Sequence, residues 1–138
     1  MTEEHLYWIG VYNRFVDHIG KPFMMKAMFD GMPIEQTEAI FTVLQENAKK
    51  EMHGHGIGRH TQADIYAFGK ADLDAISDYL GTKDYFFGDE LTSIDVTIAP
   101  VVAGLILTPI DTEIALYART KANLVAYIER FDLAVFGK

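Results

Sequence analysis

Cysteine is absent from the sequence, which excludes disulfides, thiolate metal sites and a cysteine nucleophile together. Basic residues are few: 12 Lys and Arg stand against 20 Asp and Glu, for a net charge of −8 and a pI near 4.9. Such a surface repels nucleic acid and anionic membranes. No hydrophobic run is long enough to span a bilayer. The longest uncharged stretch, Val96 to Ile110, falls short of the ~20 residues required, and two prolines interrupt it. The start, Met1-Thr2-Glu3-Glu4, has no basic region followed by an apolar one and so does not read as a secretory signal. The expectation is a cytoplasmic chain that begins at this methionine. Alternating period-two segments are missing, which argues against a sheet. No Gly-x-Ser-x-Gly turn is present to carry a Ser-His-Asp set.

What the sequence does have is apolar residues, 49% of 138, enough for the core of one domain. From Thr2, a candidate cap, to about His18, Leu6, Ile9, Phe15, Val16 and Ile19 recur at helical spacing. Gly20-Lys21-Pro22 breaks that pattern and opens a short helix ending before Asp30-Gly31. A third helix runs from Pro33 to about Met52, with Ile34, Ile40, Val43, Leu44 and Ala48 expected inward. Three glycines then mark residues 53–60 as a loop. Thr61 with Asp64 starts a helix that buries Ile65, Leu73, Ile76 and Leu80 and stops at Gly81. In Leu91-Thr92-Ser93-Ile94-Asp95-Val96, Thr92 and Asp95 form a capping box and Leu91 can staple against Val96. The helix beyond, to about Leu107, has almost no polar face and is expected at the centre, bent at Pro100. Helices near 111–119 and 122–131 complete an all-α chain, a single domain over residues 1–138.

The order of these features is distinctive. An aromatic-rich first helix is followed by Gly56-Ile57-Gly58-Arg59-His60, a helix ending at Leu80-Gly81, Tyr85-Phe86-Phe87-Gly88-Asp89, the Thr92 to Asp95 box and Asn123-Leu124-Val125-Ala126-Tyr127-Ile128-Glu129-Arg130. This succession resembles the helical C-terminal domain of glutathione transferases, in the metaxin and failed-axon-connections branch. The resemblance implies a helical bundle in which the box at Thr92 and Asp95 serves folding of the central helix. It also implies an N-terminal thioredoxin-like domain that holds glutathione and activates its thiol. This sequence contains no such domain. Glutathione is therefore expected as a cofactor only when that domain is supplied, in cis or in trans, and no catalytic residue is assigned to the chain alone. The expected role is a ligand-pocket or interaction domain; the alternative is the C-terminal fragment of a working transferase.

Within that frame Trp8, Tyr12, Arg59 and His60 are the candidates for a ligand pocket or an interface. Trp8, Tyr7, Tyr12 and Phe15 carry more aromatic surface than one core stripe easily hides, and in the resembled fold the first helix borders the substrate cleft. An exposed remainder would contact a thioredoxin-like domain or a second copy of the chain. Arg59 and His60 precede a helix N-terminus and can hold a carboxylate, whether a ligand's or an internal acid's. His53, His55 and His60 beside Glu51 offer imidazoles to a metal, but glycines leave them without fixed geometry, so no metal site is assigned. Met24, Met25 and Met28 read as flexible core filling, and Asp72 and Asp74 as solvated charge.

Overall fold

The computed structural model describes residues 5–137; the candidate cap Thr2 lies outside them. Seven α-helices follow one another without a strand among the described residues: α1 (Tyr7–Val11), α2 (Lys21–Phe29), α3 (Ile34–His55), α4 (Gln62–Leu80), α5 (Ser93–Ile106), α6 (Glu113–Arg119) and α7 (Ala122–Phe136). Helix α1 continues into a π-helical stretch, Tyr12–Val16, and a 3₁₀ turn, Ile57–Arg59, joins α3 to α4. The core forms where α5 meets α1, α6 and α7 and where α4 meets α6 and α7.

Helix α4 buries Ile65, Leu73, Ile76 and Leu80 as their spacing requires. It begins at Thr61, whose hydroxyl accepts the Asp64 N–H, and ends where Gly81 takes a positive φ of 57°. Its last carbonyls are covered from α7, because the Asn123 side-chain amide donates to Ser77 O and Gly81 O at 2.9 and 3.1 Å. Helix α5 buries Ile98, Ala99, Val102, Leu105 and Ile106. It is not enclosed all round, since Val96 and Leu107 are more than half exposed. Two arginines brace its C-terminal end. Arg14 donates to Gly104 O and the Thr108 hydroxyl, and Arg119 donates to Ile106 O, Thr108 O and Ile110 O. Cations there offset the negative end of the helix dipole.

Several sequence expectations need correction. The first helix stops at Val16 instead of reaching His18, because Asp17 is extended and its carboxylate accepts the Ile19 N–H at 3.0 Å. On α3, Ile34, Ile40 and Val43 face solvent, while Thr37, Phe41, Ala48 and Met52 turn inward. The helix is apolar on two sides, and Phe41 stacking on Phe15 at 5.9 Å settles which side is buried. The loop expected at residues 53–60 is mostly helical. Helix α3 runs through Gly54 to His55 before Gly56 turns it at a φ of 113°. Gly58 must lack a side chain, since a Cβ there would lie 2.7 Å from the Met52 carbonyl carbon. Helix α2 buries no residue, so its methionines are not core filling. Asp72 and Asp74 are engaged across elements: Asp72 meets His5 at 2.8 Å, and Asp74 accepts from Tyr117 and pairs with Lys121.

Candidate functional site

The π-helical stretch organises two buried polar groups on one side and a cleft on the other. Asp17 N–H bonds to the Tyr12 carbonyl, five residues back, a wider turn than an α-helix makes and one that often marks functional sites. Inward lie Asn13, fully buried beneath the Thr112 hydroxyl, and Asp17, which accepts the Tyr66 hydroxyl at 2.6 Å. Burial, then the hydrogen bond and charge of Asp17, hold the Tyr66 phenol far above its ordinary range. Tyr66 therefore stays a donor to Asp17.

Outward, Tyr12 and Val16 join Lys49, Met52, His53, Gly58 and His60 around a cleft of about 320 Å³. Tyr12 packs edge-on against Tyr66, and its hydroxyl donates to Gln62 Oε1 at 3.1 Å. Desolvation, seconded by the Asp17 charge, raises its pKa, so at neutral pH it remains a phenol able to donate. His60 sets its ring edge-on to Phe68 at 5.0 Å, and the other face of this cluster is formed by His5 stacked on Phe68.

Of the four candidates, two, Tyr12 and His60, line the same cleft although 47 residues separate them. Arg59 is not a wall of it and pairs with no acid among the described residues; its Nε donates to the His53 carbonyl at 3.0 Å and covers the end of α3. Trp8 lies outside the cleft, half-buried between Tyr7 and His55. Most of the aromatic excess is thus absorbed by ring contacts, and of Tyr7, Trp8, Tyr12 and Phe15 only Tyr7 is mainly exposed. His53, His55 and His60 do not converge: among the described residues no group of His, Asp and Glu is placed to hold a metal ion. The sequence offers His53 only as an imidazole for a metal and does not mark Lys49 or His53 as cleft residues. Their signal was a helical face, legible only once the true end of α3 was known.

A second centre is structural. Asp95, fully buried, receives the Thr92 N–H at 2.9 Å and the Thr92 hydroxyl at 3.2 Å on Oδ2. Its Oδ1 receives the Phe86 N–H at 3.1 Å and the Tyr127 hydroxyl at 3.0 Å. The capping box is present, but it is part of a larger junction that ties α5 to the turn before it and to α7. Burial and then Asp95 push the Tyr127 phenol well above its usual range. Leu91 and Val96 remain 37% and 54% exposed, so a staple there adds little.

The family described as "Glutathione S-transferase, C-terminal domain" matches residues 69–131, the stretch holding this junction. The chain is 30% identical over 132 residues to isoprene-epoxide–glutathione S-transferase of a Rhodococcus species, covering 94% of this chain and 56% of that protein. It carries a glutathione S-transferase C-terminal-like domain. The transferase-like domain is also 32% identical over 142 residues to Failed axon connections of Drosophila melanogaster, across 94% of this chain and 34% of that protein. It thus spans about half the length of one relative and a third of the other. No solved structure matches it significantly. No helix among the described residues is long and apolar enough to cross a membrane.

Proposed function

We propose that the domain is the helical ligand-pocket part of a glutathione-transferase-like protein, working with a thioredoxin-like domain in cis or in trans, and that the Tyr12 and His60 cleft receives the non-thiol substrate. The observation carrying this reading is the convergence of Tyr12 and His60 on one cleft floored by Met52 and Val16. Ring opening of an epoxide, the substrate class in the Rhodococcus relative's name, develops charge on oxygen, and a neutral phenol is a suitable donor to it. Tyr12 would supply that hydrogen bond by turning from Gln62. The thiol would come from glutathione held by the other domain, so the chain alone needs no thiol-activating residue.

A chemical-shift titration of the full chain with a small epoxide tests the cleft. Shifts centred on Tyr12, Met52, His53, Gly58 and His60, removed by Tyr12→Phe combined with His60→Ala, are expected. Shifts elsewhere, or none, overturn the assignment. A second reading, that the chain is the C-terminal portion of a working transferase, is favoured by an alignment covering nearly all of this chain but 56% of the relative. An in-frame thioredoxin-like domain of roughly 80 to 100 residues upstream of Met1, an ordinary size for a small domain, would decide for it.

A further inference from the structure

A groove of about 390 Å³ lies where α4, the turn after it and α5 meet, and it shares no lining residue with the Tyr12 cleft. Ile76 and Tyr79 of α4, Phe86 and Phe87 of the turn, and Ile94 and Ile98 of α5 line it. Ala75, small and exposed, leaves it open. Tyr79 and Phe87 are 58% and 65% exposed, and contiguous apolar surface of this kind marks a place of contact.

The aromatic side chains are held in place from behind. Tyr85 and Gly88 exchange N–H···O bonds at 2.9 and 3.2 Å, with Gly88 at a φ of 127°, and this tight turn sends Phe86 inward and Phe87 outward. Asp95 fixes the Phe86 N–H. Tyr79 stacks on Phe86 at 6.1 Å, and the Lys83 ammonium stands 4.5 Å from the Tyr79 ring centroid while donating to Tyr79 O at 2.7 Å. The charge around the groove is negative. Asp78 follows Ala75 by three residues on α4 and so lies beside it, and Asp89 and Glu90 stand between Phe87 and Ile94 in the chain. All three are exposed, and none makes a hydrogen bond or an ion pair among the described residues.

Chemistry separates the occupants such a groove could take. A small ligand needs polar groups inside its pocket to fix its orientation, whereas here the carboxylates stand outside an apolar lining. A second copy related by a two-fold axis would set Asp78, Asp89 and Glu90 against acids of like charge. An apolar centre with rigid aromatic side chains and a charged rim is the pattern of a surface that recognises another protein. We propose that the groove receives a basic amphipathic helix of a partner protein. Its apolar side chains, at i, i+3 or i+4 and i+7, pack against Ile76, Tyr79, Phe87, Ile94 and Ile98, and its Lys or Arg side chains meet Asp78, Asp89 and Glu90. This surface depends neither on the reading of the Tyr12 cleft nor on a thioredoxin-like domain.

The experiment is calorimetric and chemical-shift titration of the full chain with a synthetic helical peptide of Leu and Lys, its leucines at i, i+3, i+4 and i+7, and with a counterpart in which Glu replaces Lys. The Lys peptide should bind about tenfold more tightly than the Glu peptide or better, with shifts on Ala75, Ile76, Tyr79, Phe87, Ile94 and Ile98. Its affinity should fall as salt rises. Phe87→Ala, and Asp89→Asn combined with Glu90→Gln, change exposed side chains, so both variants should fold, and each should weaken the Lys peptide about fivefold or more. Asp30→Asn combined with Glu35→Gln makes the same change in net charge outside the groove and should leave its affinity within about twofold. Equal affinity for the two peptides, no binding of the Lys peptide, shifts confined to other faces, full binding in either groove variant, or an equal loss in the Asp30 and Glu35 variant each overturns the proposal. So does self-association that Phe87→Ala abolishes, which would make a second copy the occupant, and so do contacts into the groove from the residues ahead of His5, which would make the chain its own occupant.

Discussion

Removing the Asp95 carboxylate is the perturbation whose cost the structure changes most. Read as a helix cap alone, Asp95→Ala should cost about 1 kcal/mol. The carboxylate instead satisfies the Phe86 N–H and the Tyr127 hydroxyl as well as the Thr92 N–H and hydroxyl. Alanine would leave the Phe86 N–H buried without an acceptor and the Tyr127 hydroxyl with only its long 3.5 Å contact to the Asp95 carbonyl, at up to about 1–3 kcal/mol each. Added to the lost cap and reduced for local relaxation, the expected cost is about 3–5 kcal/mol, a large part of the ~5–15 kcal/mol that holds a domain folded. Asp95→Asn should fall between, at about 1–2 kcal/mol. Its oxygen can keep both bonds made by Oδ1, but its amide then faces the Thr92 N–H. Thr92→Ala removes one hydroxyl and should cost about 1 kcal/mol. Urea denaturation followed by far-ultraviolet circular dichroism and Trp8 fluorescence gives all three values. A cycle with Tyr127→Phe should show coupling of at least about 0.5 kcal/mol to Asp95. If Asp95→Ala costs no more than Thr92→Ala and shows no coupling, the junction is only a cap and the reasoning fails.

Glycines should divide by their surroundings. Gly54→Ala, with open space around it inside α3, should raise stability by about 0.5–1 kcal/mol, whereas Gly58→Ala, pressed on the Met52 backbone, should lower it by about 1–3 kcal/mol; thermal melts of both variants distinguish them. Tyr66 and Tyr127 have raised pKa values in the folded state. Their contribution is complete below the unfolded value near 10 and is lost as pH rises above it, because the unfolded chain ionises first. Urea midpoints should fall above about pH 10, and less steeply in Tyr66→Phe and Tyr127→Phe; midpoints independent of pH in that window would contradict the burial argument. Ile40→Glu and Val43→Glu should each change stability by less than about 0.5 kcal/mol, as exposed positions do, and a large loss in either would restore the inward face expected from spacing. The chain alone should conjugate glutathione to a standard electrophile no faster than buffer, and saturable turnover that survives repurification would contradict this.

Much was determined by the sequence by itself. The all-α class, the buried stripe of α4 and the start of α5 follow from local rules, because spacing and capping act within a few residues of one another. The family was legible for the same reason: its marks are ordered local motifs. Tertiary structure decided what local pattern leaves degenerate. Helix α3 has two apolar sides, and only packing of Phe41 on Phe15 chooses between them. Gly54 can be helical because nothing crowds it and the turn after Gly56 packs back on Met52. Tyr12 and His60 had been singled out separately, but their common cleft depends on how the π-helical stretch meets α3. Arg14 drew no attention in sequence because one arginine in an apolar helix resembles any surface charge. Its distinction is that it braces the end of α5, a property of three-dimensional neighbours that sequence spacing does not encode. Asp95 shows both levels at once: its cap is written in four consecutive residues, whereas its bonds to Phe86 and Tyr127 exist only because the turn and α7 close over it.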